Sequence, residues 1–514
     1  MSYGTKISPE TGNKSKLNMT NVDSNLTQIM AASSKPHLLV YAHYYTPDTA
    51  STGQIIQDLA EGMLDTFRVT VICVVPSYLG TIEENYKTRR YYFERINGVN
   101  VVRVAVPEFN KTSKKSRVKN ILAYFFRAMK VTGKVGKVDY VMSVSQPPIL
   151  GGLLGVWGKW TLKSDYRRKT IYRNLIYMHE EKVQKSDIED GVTSETAEKA
   201  TEGHKPKRPR YIYQVQDFNP EQVLAVNYSR NKFIIGLMMF LDKFSCKCAD
   251  LVITVGRDLI DTLNGRFPKG NAPKSVLINN WIDEKEIYPL PPDHPRVLAF
   301  KKQYGLEDKF VIGYSGNIGL YYDLEKLIKV MKQFRKGYTL TGIRKEGIRT
   351  APTENYPNGR EVVFVFIGAG SVKDKLMMYA ERHHFENMVF IPYQNKEALI
   401  YSLNAIDIHW CVNAKGIKGV SVPSKAYGIM AVGKPILGVL EEGSEARCLI
   451  EETGCGRCVE PGDYVGVADT IRWFIENAES KEVRKMGIRG REYLVENLTK
   501  EKCIEKYKKA ILEA

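Results

Sequence analysis

Short apolar runs, each followed by a polar or glycine-rich turn and a helical stripe, recur along the chain. The first run, His37 to Ala42, contains β-branched and aromatic residues, and Gln54 to Leu64 places its apolar residues on one helical face. The next apolar run is Val69 to Val75. Because these strands are almost continuously apolar rather than alternating, the pattern predicts a parallel sheet covered by helices on both faces.

The same succession of apolar runs, turns and helical stripes continues to the C-terminal region. The turn pair Asn97-Gly98 separates two strand-like runs and predicts a hairpin. The other predicted strands are Tyr140 to Val144, Tyr211 to Val215, Leu251 to Thr254, Phe310 to Gly313, Val362 to Ile367, Met388 to Ile391, Ala405 to Trp410 and Pro435 to Leu440.

A proline-rich segment divides the pattern into two halves. Residues 288–295 carry four prolines, which exclude a helix interior or a central strand, so we expect a linker there. The fold class predicted is α/β, with two doubly wound Rossmann-like domains, 37–287 and 296–477, facing across a cleft. The final helices, in 478–514, are expected to pack back on the first domain.

Three segments do not fit this pattern. Residues 1–36 are rich in Ser, Asn, Thr and Lys and lack the apolar core of a signal peptide, so they are predicted to be a disordered extension. Residues 163–210 and 336–360 are polar or turn-rich and are interpreted as insertions into the first and second domains.

Length and composition narrow the class of protein. The 514 residues are 43% hydrophobic and 26% charged, which is typical of a folded protein of two or three domains. Eight Cys are too few for a secreted disulfide scaffold and favour a reducing compartment. The longest apolar-leaning stretch, Pro147 to Trp160, contains Lys159 and is too short to span a membrane.

A zinc site is not favoured by the cysteines. Cys455 and Cys458 have the spacing of half a structural zinc site, but Cys246 and Cys248 are separated by one residue and lie in an amphipathic stretch. There is also no Asp-x-Asp pair in a loop suited to a divalent cation. We therefore expect neither a metal ion nor another cofactor.

Three glycine-containing loops follow predicted strands and open helices. They are Asp48 to Gly53, Ser315 to Gly319 and Gly368 to Ser371. Glycine allows the backbone to approach a ligand, and free N–H groups at a helix start favour an anion. Each loop alone is equally compatible with an ordinary tight turn. Their recurrence at the strand ends of two facing sheets favours a phosphate-bearing ligand in the cleft.

The densest candidate segment runs from Asn413 to Leu437. It passes through a Gly/Lys loop and enters a helix at Pro423-Ser424-Lys425. A hydroxyl, a cation and the helix dipole converge at such a start, which suits a diphosphate. The alternative is a capping Ser424 with a solvated Lys425.

Together these motifs resemble family-four glycosyltransferases of the GT-B fold. The resemblance is strongest to the subgroup, including fucosamine transferases, that builds bacterial O-antigen and exopolysaccharide repeat units. It covers most of 37–477 apart from the two insertions. The motifs that carry it are His43-Tyr-Tyr-Thr-Pro-Asp-Thr-Ala-Ser-Thr-Gly53, Gln216-Asp-Phe-Asn-Pro-Glu221, Tyr314-Ser-Gly-Asn-Ile-Gly319, Val422-Pro-Ser-Lys-Ala-Tyr-Gly428 and Gly443-Ser-Glu-Ala446.

The resemblance implies a nucleotide-sugar donor held by the second domain, and transfer with retention of configuration without an essential metal. The diphosphate would lie near Gly53, the phosphates near Gly316 and Gly319, the nucleotide beside Gly368 and Gly370, and the base near Ile391-Pro-Tyr393. The donor-binding residues predicted are Gly53, Gly316, Asn317, Gly319, Gly368, Gly370, Tyr393, Ser424 and Lys425.

The chain departs from the family pattern at charged positions. Two Glu common in the family would fall at Val420 and Gly428, and an Arg and a Lys would fall near Asn317 and Tyr322. Lys425 is therefore the candidate for the missing positive charge. Its predicted role is to balance the charge of the departing diphosphate.

Two residues at strand ends are the acceptor-side candidates, and with Lys425 they complete the predicted catalytic set. Asp217 follows the strand Tyr211 to Val215, and His43 follows the first strand. Asp217 is equally compatible with a helix cap before Asn219-Pro220, and His43 with a packed, hydrogen-bonded histidine.

A basic segment predicts a membrane surface as a partner. The net charge is +17, and Lys111 to Lys137 carries nine Lys and Arg without an acidic residue, interleaved with aromatic and aliphatic residues. Such a helix suits an anionic membrane, although a solvated face is the common alternative. No nucleic-acid-binding motif accompanies the charge. We expect a peripheral protein at the cytoplasmic face of the plasma membrane, with a polyprenyl diphosphate-linked or glycan acceptor implied by the resemblance.

Two other functions stay open at this point. A sugar-nucleotide 2-epimerase shares the fold, but its relatives use acidic residues in the cleft that are missing here. A catalytically silent sugar-nucleotide-binding partner is the second alternative, and the same missing carboxylates motivate it.

Overall fold

The computed structural model describes residues 35–48, 51–110, 113–164, 207–225, 231–334 and 360–514. They form two α/β domains, each built on its own sheet. The predicted disordered extension, apart from its last two residues, and most of both predicted insertions lie outside the described residues.

The first sheet has eight strands. They are β1 His37–Tyr41, β2 Arg68–Val74, β3 Tyr91–Ile96, β4 Val99–Val104, β5 Tyr140–Val144, β6 Arg210–Val215, β7 Leu251–Thr254 and β8 Ser275–Leu277. Their spatial order is β3-β4-β2-β1-β5-β6-β7-β8. All neighbours are parallel except β3 and β4, which form the predicted hairpin. Asn97 and Gly98 both have positive φ, 48° and 88°, as a tight hairpin turn requires.

Helices cover both faces of this sheet. They are α1 Ser51–Gly62, α2 Lys114–Thr132, α3 Leu150–Thr161, α4 Glu221–Ala225, α5 Lys232–Cys248 and α6 Arg257–Gly265. Helices α2, α3 and α5 pack on one face, where Tyr124, Leu154 and Cys246 join one core cluster. Helix α1 packs on the opposite face through Ile56 and Leu59. Successive strand residues point to opposite faces, so each buried strand supplies both clusters.

The second sheet has six parallel strands. They are β9 Phe310–Ser315, β10 Val362–Ile367, β11 Met388–Ile391, β12 Ile408–Val412, β13 Ile436–Val439 and β14 Gly456–Val459. Their order is β11-β10-β9-β12-β13-β14. The order reverses direction beside β9, and crevices for ligands open at such switch points. The predicted fold class is confirmed by the two parallel-sheet domains.

The helices of the second half complete both domains. They are α7 Pro295–Gln303, α8 Leu324–Met331, α9 Lys373–Arg382, α10 Lys396–Asn404, α11 Lys425–Ala431, α12 Glu445–Thr453, α13 Tyr464–Glu476, α14 Lys481–Asn497 and α15 Lys500–Leu512.

The last two helices divide between the domains. Helix α14 packs in the second domain, where Leu494 joins the core of α11 and α12. This differs from the prediction that the final helices pack together on the first domain. Helix α15 does return to the first domain, where Ile504 and Tyr507 join the cluster of α1. The side-chain amide of Gln214 donates to the Tyr507 hydroxyl over 2.6 Å. The C-terminal helix therefore connects the second half of the chain to the first domain.

Candidate active site

One segment of the second domain that contacts the carboxyl end of the first sheet is residues 413–423, which we call the interface loop. Asp217, just after β6, forms an antiparallel bridge with Ser421 of this loop. The Phe218 amide donates to the Val420 carbonyl over 2.9 Å, and the Gly419 amide donates to the Asp258 carboxylate over 2.8 Å. The interface loop therefore brings the start of α11 to the strand ends of the first domain.

A buried carboxylate strengthens the same interface. Glu445, at the start of α12, is 2% exposed. It accepts hydrogen bonds from the backbone amide and the Nε of Arg257 over 2.9 and 2.8 Å, and from the amide of Asn279 over 2.7 Å. Arg257 and Asn279 belong to the first domain, so the ion pair and the amide contact hold the domains in one relative position.

Lys425 begins α11 and points toward two tyrosine rings. Its Nζ lies 3.8 Å from the centre of the Tyr322 ring and 4.8 Å from that of Tyr314. Among the described residues, no carboxylate pairs with this ammonium group. Cation–π contacts stabilise the charge only partly, so the ammonium group retains the capacity to pair with an anionic ligand.

Desolvation by burial lowers the pKa of Lys425 from its ordinary value to about 8. The group is charged below this pH and loses its charge above it. A bound diphosphate would favour the charged form and raise the pKa again.

This shift predicts a pH dependence of donor binding. Affinity for a nucleoside diphosphate should decline as the pH rises through about 8, because the free protein then loses the Lys425 charge. Calorimetric titration with UDP and GDP across this range measures the effect. The matched variant Lys425→Met should bind weakly at every pH with a flat profile. An equally steep decline in that variant would assign the titration to another group.

The glycine loops of the second domain pack against each other. Gly316 and Gly368 have φ of 144° and 138°, which favour glycine. A Cβ on Gly368 would overlap the Gly316 carbonyl oxygen, and one on Gly370 would overlap the Ile318 carbonyl oxygen. Loop packing is therefore a sufficient reason for Gly368 and Gly370, and their contact with a nucleotide stays a prediction.

Gly316 also faces the candidate cation. A Cβ on Gly316 would lie 3.4 Å from Cε of Lys425, so the structure brings these two predicted site residues together. Asn317 is exposed, and its backbone carbonyl accepts the Tyr314 hydroxyl over 2.6 Å. This bond fixes the loop against the ring that contacts Lys425. Gly319 is buried at the loop's end.

Ser424 and Tyr393 present exposed side chains at the same edge of the second domain. Ser424 precedes α11, and its hydroxyl makes no capping hydrogen bond to the helix. The cap interpretation of Ser424 is therefore wrong. Tyr393 follows β11 and is 62% exposed. It lies close enough to Tyr78 of the first domain to contribute, after burial, to the raised pKa of that phenol.

His43 lies at the end of β1 in an aromatic cluster. Its ring centre is 4.2 Å from that of Tyr44 and 5.1 Å from that of Tyr124. Burial lowers the pKa of His43 to about 3, with hydrogen bonding to Asn120 opposing the shift. The imidazole is therefore neutral at physiological pH, which excludes it as a proton-donating imidazolium. Its Nε2 is buried without a hydrogen-bond partner in the described part of the chain.

A small pocket surrounds His43 and Gly53. It is lined by Ala42, His43, Tyr44, Thr52, Gly53, Ile56, Val144 and Gln146. Gly53 lies in the first turn of α1, where a Cβ would come within 3.3 Å of the Tyr44 carbonyl oxygen. The pocket thus brings the first turn of α1 next to His43.

Gln146 links this pocket to Asp217. Its side-chain amide donates to Asp217 Oδ2 over 3.5 Å. Burial raises the pKa of Asp217, and hydrogen bonds from Ser421 and Gln146 oppose the shift. The Asp217 carboxylate also raises the pKa of Tyr322 after burial. Asp217 therefore lies near Tyr322, whose ring contacts Lys425. Asp217 is also a structural bridge through its pairing with Ser421.

Sequence reasoning missed several residues of this arrangement. Tyr314 and Tyr322 hold the Lys425 ammonium group, yet Tyr322 had been noted only as the position of an absent lysine. Gln146 stands directly after β5 in Ser145-Gln-Pro-Pro148, where a strand-end polar residue was available as a signal. Glu445 was part of a motif without a role. These residues act through long-range contacts that leave no local spacing pattern.

No group of three or more His, Cys, Asp or Glu side chains in the described ranges is arranged to hold a metal ion. All eight cysteines are free. Among the described helices, none is long and apolar enough to cross a membrane.

Comparison with known sequences finds a family match in the second domain. Residues 298–493 match the family model of glycosyl transferases group 1. WbjE of Pseudomonas aeruginosa, which is named as a glycosyltransferase, is 26% identical over 303 residues, covering 58% of this chain and 67% of WbjE. WcaI of Escherichia coli, named for glycosyl transfer in colanic acid biosynthesis, is 25% identical, covering 58% of this chain and 66% of WcaI.

Solved structures share the whole two-domain architecture. Sucrose-phosphate synthase from Thermosynechococcus elongatus has a TM-score of 0.62 at 12% identity, covering 92% of this chain and 98% of that one. HepE of Anabaena, crystallised with UDP-glucose, has a TM-score of 0.57 at 13% identity, covering 93% and 98%. WaaG, a glycosyltransferase of lipopolysaccharide biosynthesis, has a TM-score of 0.56 at 10% identity, covering 92% and 99%. These likenesses establish the GT-B fold.

Proposed function

We propose that this chain is a group 1 glycosyltransferase that moves a hexosyl or acetamidohexosyl residue from a nucleoside diphosphate to an acceptor, with retention of configuration, in cell-surface polysaccharide biosynthesis. The observation that carries the proposal is the Lys425 ammonium group. It lies beside the Gly316 loop without a carboxylate partner among the described residues, at the edge where the domains meet. The negatively charged diphosphate leaving group would be the anionic partner that the Lys425 ammonium group lacks.

The proposed chemistry assigns a separate task to each side of the interface. As the bond between the anomeric carbon and the diphosphate breaks, positive charge develops on the sugar and negative charge on the diphosphate. Lys425 and the Ser424 hydroxyl stabilise the departing charge. Because these groups are already positioned, little reorganisation is required during the reaction. Asp217 and the neutral His43 contact the acceptor from the first domain.

A uridine diphosphate sugar is the first donor to test. HepE was crystallised with UDP-glucose in the same fold, which supports a nucleotide-sugar donor without identifying its base. Within the proposal, Gly53 lies near the diphosphate, while Asn317, Gly319, Gly368 and Gly370 line the donor and Tyr393 borders the base. Fucosamine is one candidate sugar, from the resemblance to that subgroup.

The proposed acceptor is a polyprenyl diphosphate-linked sugar or a glycan at the cytoplasmic face of the membrane. The pocket of His43 and Gln146 is its candidate site. Arg117 of α2 lies close enough to His43 to lower the pKa of its imidazole, so a cation stands near the pocket. The names of WbjE and WcaI support a role in polysaccharide assembly.

An acceptor-dependence assay tests the reaction. Purified full-length protein is incubated with a panel of UDP- and GDP-linked hexoses and acetamidohexoses, including fucosamine, with and without lipid-linked acceptors. Consumption of one donor only with acceptor, and a product of retained configuration by NMR, is expected. Isomerisation without acceptor would instead indicate the epimerase, which the comparisons do not favour. Binding without turnover across the whole panel would indicate a catalytically silent protein and contradict the proposal.

A further inference from the structure

Helix α5 exposes an apolar face that the described residues of the first domain leave uncovered. Phe233, Ile234, Leu237 and Phe240 are 79%, 48%, 49% and 65% exposed. Their spacing places them along one side of the helix. The opposite side is anchored in the core by Cys246 and by Asp242, which pairs with Arg266. The orientation of the helix is therefore determined by buried contacts, and the exposed face is a stable feature of the fold.

Two neighbouring helices extend this surface. Trp157 and Trp160 of α3 are 36% and 50% exposed, and the Trp160 ring contacts Phe244 of α5 edge-on at 5.8 Å. The Trp157 indole donates to the Met129 carbonyl of α2 over 3.1 Å. On α2 the exposed apolar residues are Val118, Leu122 and Phe126. Helices α2, α3 and α5 thus present one continuous layer, which we call the three-helix face.

The charge of the three-helix face has one sign. Its helices carry ten Lys and Arg, six on α2, three on α5 and one on α3, Lys159, which pairs with Asp250. Their single carboxylate is Asp242, which is 2% exposed and is neutralised by Arg266. Lys115, Arg117, Lys119 and Lys130 are exposed on α2, and Lys232 and Lys247 on α5. An apolar surface with two tryptophans and only cationic groups is complementary to an anionic lipid bilayer.

We propose that the three-helix face docks on an anionic membrane, with Phe233, Ile234, Leu237 and Phe240 inserted among the lipids and the α2 cations on their headgroups. This goes beyond the basic segment recognised in the sequence, because the inserting element is α5. The docking surface is inferred independently of the proposed function. Only its suggested role, which is to bring the His43 pocket to a membrane-bound acceptor, rests on that function. Arg117 belongs to the face and also lies near His43, so pocket and face are adjacent.

Vesicle flotation of the full-length protein tests this docking. The protein should float with phosphatidylcholine vesicles containing phosphatidylglycerol and much less with phosphatidylcholine alone. Phe233→Ser/Phe240→Ser should lower the partition coefficient about tenfold or more. Lys115→Ser/Lys119→Ser should lower it about twenty-fivefold, roughly a factor of five for each cation at low salt. The matched control Met378→Ser/Ile488→Ser removes comparably exposed apolar residues of the second domain, 64% and 54% exposed, and should change nothing.

Tryptophan fluorescence reports the docked face directly. Brominated lipids should quench the wild-type protein in anionic vesicles, and Trp157→Phe/Trp160→Phe should abolish this quenching while flotation persists. Equal flotation of the Phe233→Ser/Phe240→Ser variant and the wild type would overturn the proposal. Failure of the wild-type protein to float with anionic vesicles would also overturn it. Sedimentation velocity would then show whether a second copy covers the face, because the wild type would form a dimer that this variant dissociates. A monomeric wild type would leave residues 165–206 as the occupant to test.

The proposed sugar transfer and the proposed membrane docking can be contradicted separately. UDP binding and turnover of a detergent-dispersed acceptor should be unchanged in Phe233→Ser/Phe240→Ser, because the interface loop contacts Asp217, Phe218 and Asp258 rather than these residues. Flotation without turnover of any donor would contradict the proposed reaction and leave the docking surface standing. Sugar transfer without flotation would contradict the docking proposal and leave the proposed reaction standing.

Discussion

Lys425→Ala should lower the rate of sugar transfer about 100-fold or more, the size of effect seen when one preorganised charge-stabilising group is removed. The reason is the isolation of the Lys425 ammonium group. It rests on the rings of Tyr314 and Tyr322 and pairs with none of the described carboxylates. The diphosphate of the leaving group would therefore lose its nearest cation, at the moment when its negative charge increases most.

The measurement is steady-state transfer with saturating acceptor, combined with calorimetric affinity for UDP and the donor. Lys415→Ala is the matched control, since Lys415 is an exposed lysine of the same interface loop, and its rate should be close to that of the wild type. A larger loss in kcat than in donor affinity would place the Lys425 contribution in the transition state. Unchanged donor turnover in Lys425→Ala would show that the assigned role is wrong.

Gly368→Ala should lower the free energy of unfolding of the second domain by about 3 kcal/mol. Two effects add at this position. The φ of 138° lies in a region that residues with a Cβ rarely adopt, and the new methyl group would overlap the Gly316 carbonyl oxygen. The two loops at the ends of β9 and β10 would have to separate, which displaces Gly316 from Lys425. Transfer by the folded fraction should therefore fall about 100-fold.

Gly416→Ala separates backbone strain from overlap. Gly416 also has a positive φ, 89°, but a Cβ there would meet nothing within 4 Å. We expect a loss of about 1 kcal/mol from the backbone conformation alone, with transfer almost unchanged. Chemical denaturation of both variants followed by far-UV circular dichroism measures the difference. Equal destabilisation of the two variants would show that the loops move apart at little cost.

Strand positions were predictable because burial on both faces leaves a strong local pattern. Tyr140–Val144, Leu251–Thr254, Val362–Ile367 and Met388–Ile391 lie where the apolar runs predicted them. The short strands β8 and β14 were not predicted. Ser275–Leu277 is only partly buried, and Gly456–Val459 begins with glycine and carries an exposed arginine. Edge strands with little burial have no continuous apolar run to indicate them.

The sequence placed the candidate loops at one edge of each sheet but did not give their contacts. The loops of Gly53, Gly316 and Gly368 follow strands β1, β9 and β10, and parallel strands bring such loops to one edge. The tyrosine contacts of Lys425, the bridge of Asp217 to Ser421 and the ion pair of Glu445 with Arg257 join residues far apart in sequence. No periodicity or spacing encodes contacts of this kind.

The sequence by itself determined two parallel-sheet domains, the position of the helix start at Lys425 and the basic character of α2, because periodicity, glycine and charge act over a few neighbouring residues. Only the tertiary structure decided that Gly368 serves loop packing, that His43 is neutral and that α5 exposes its apolar face. Burial and proximity depend on how distant segments pack, and the pKa of a side chain or the exposure of a helix face follows from that packing alone.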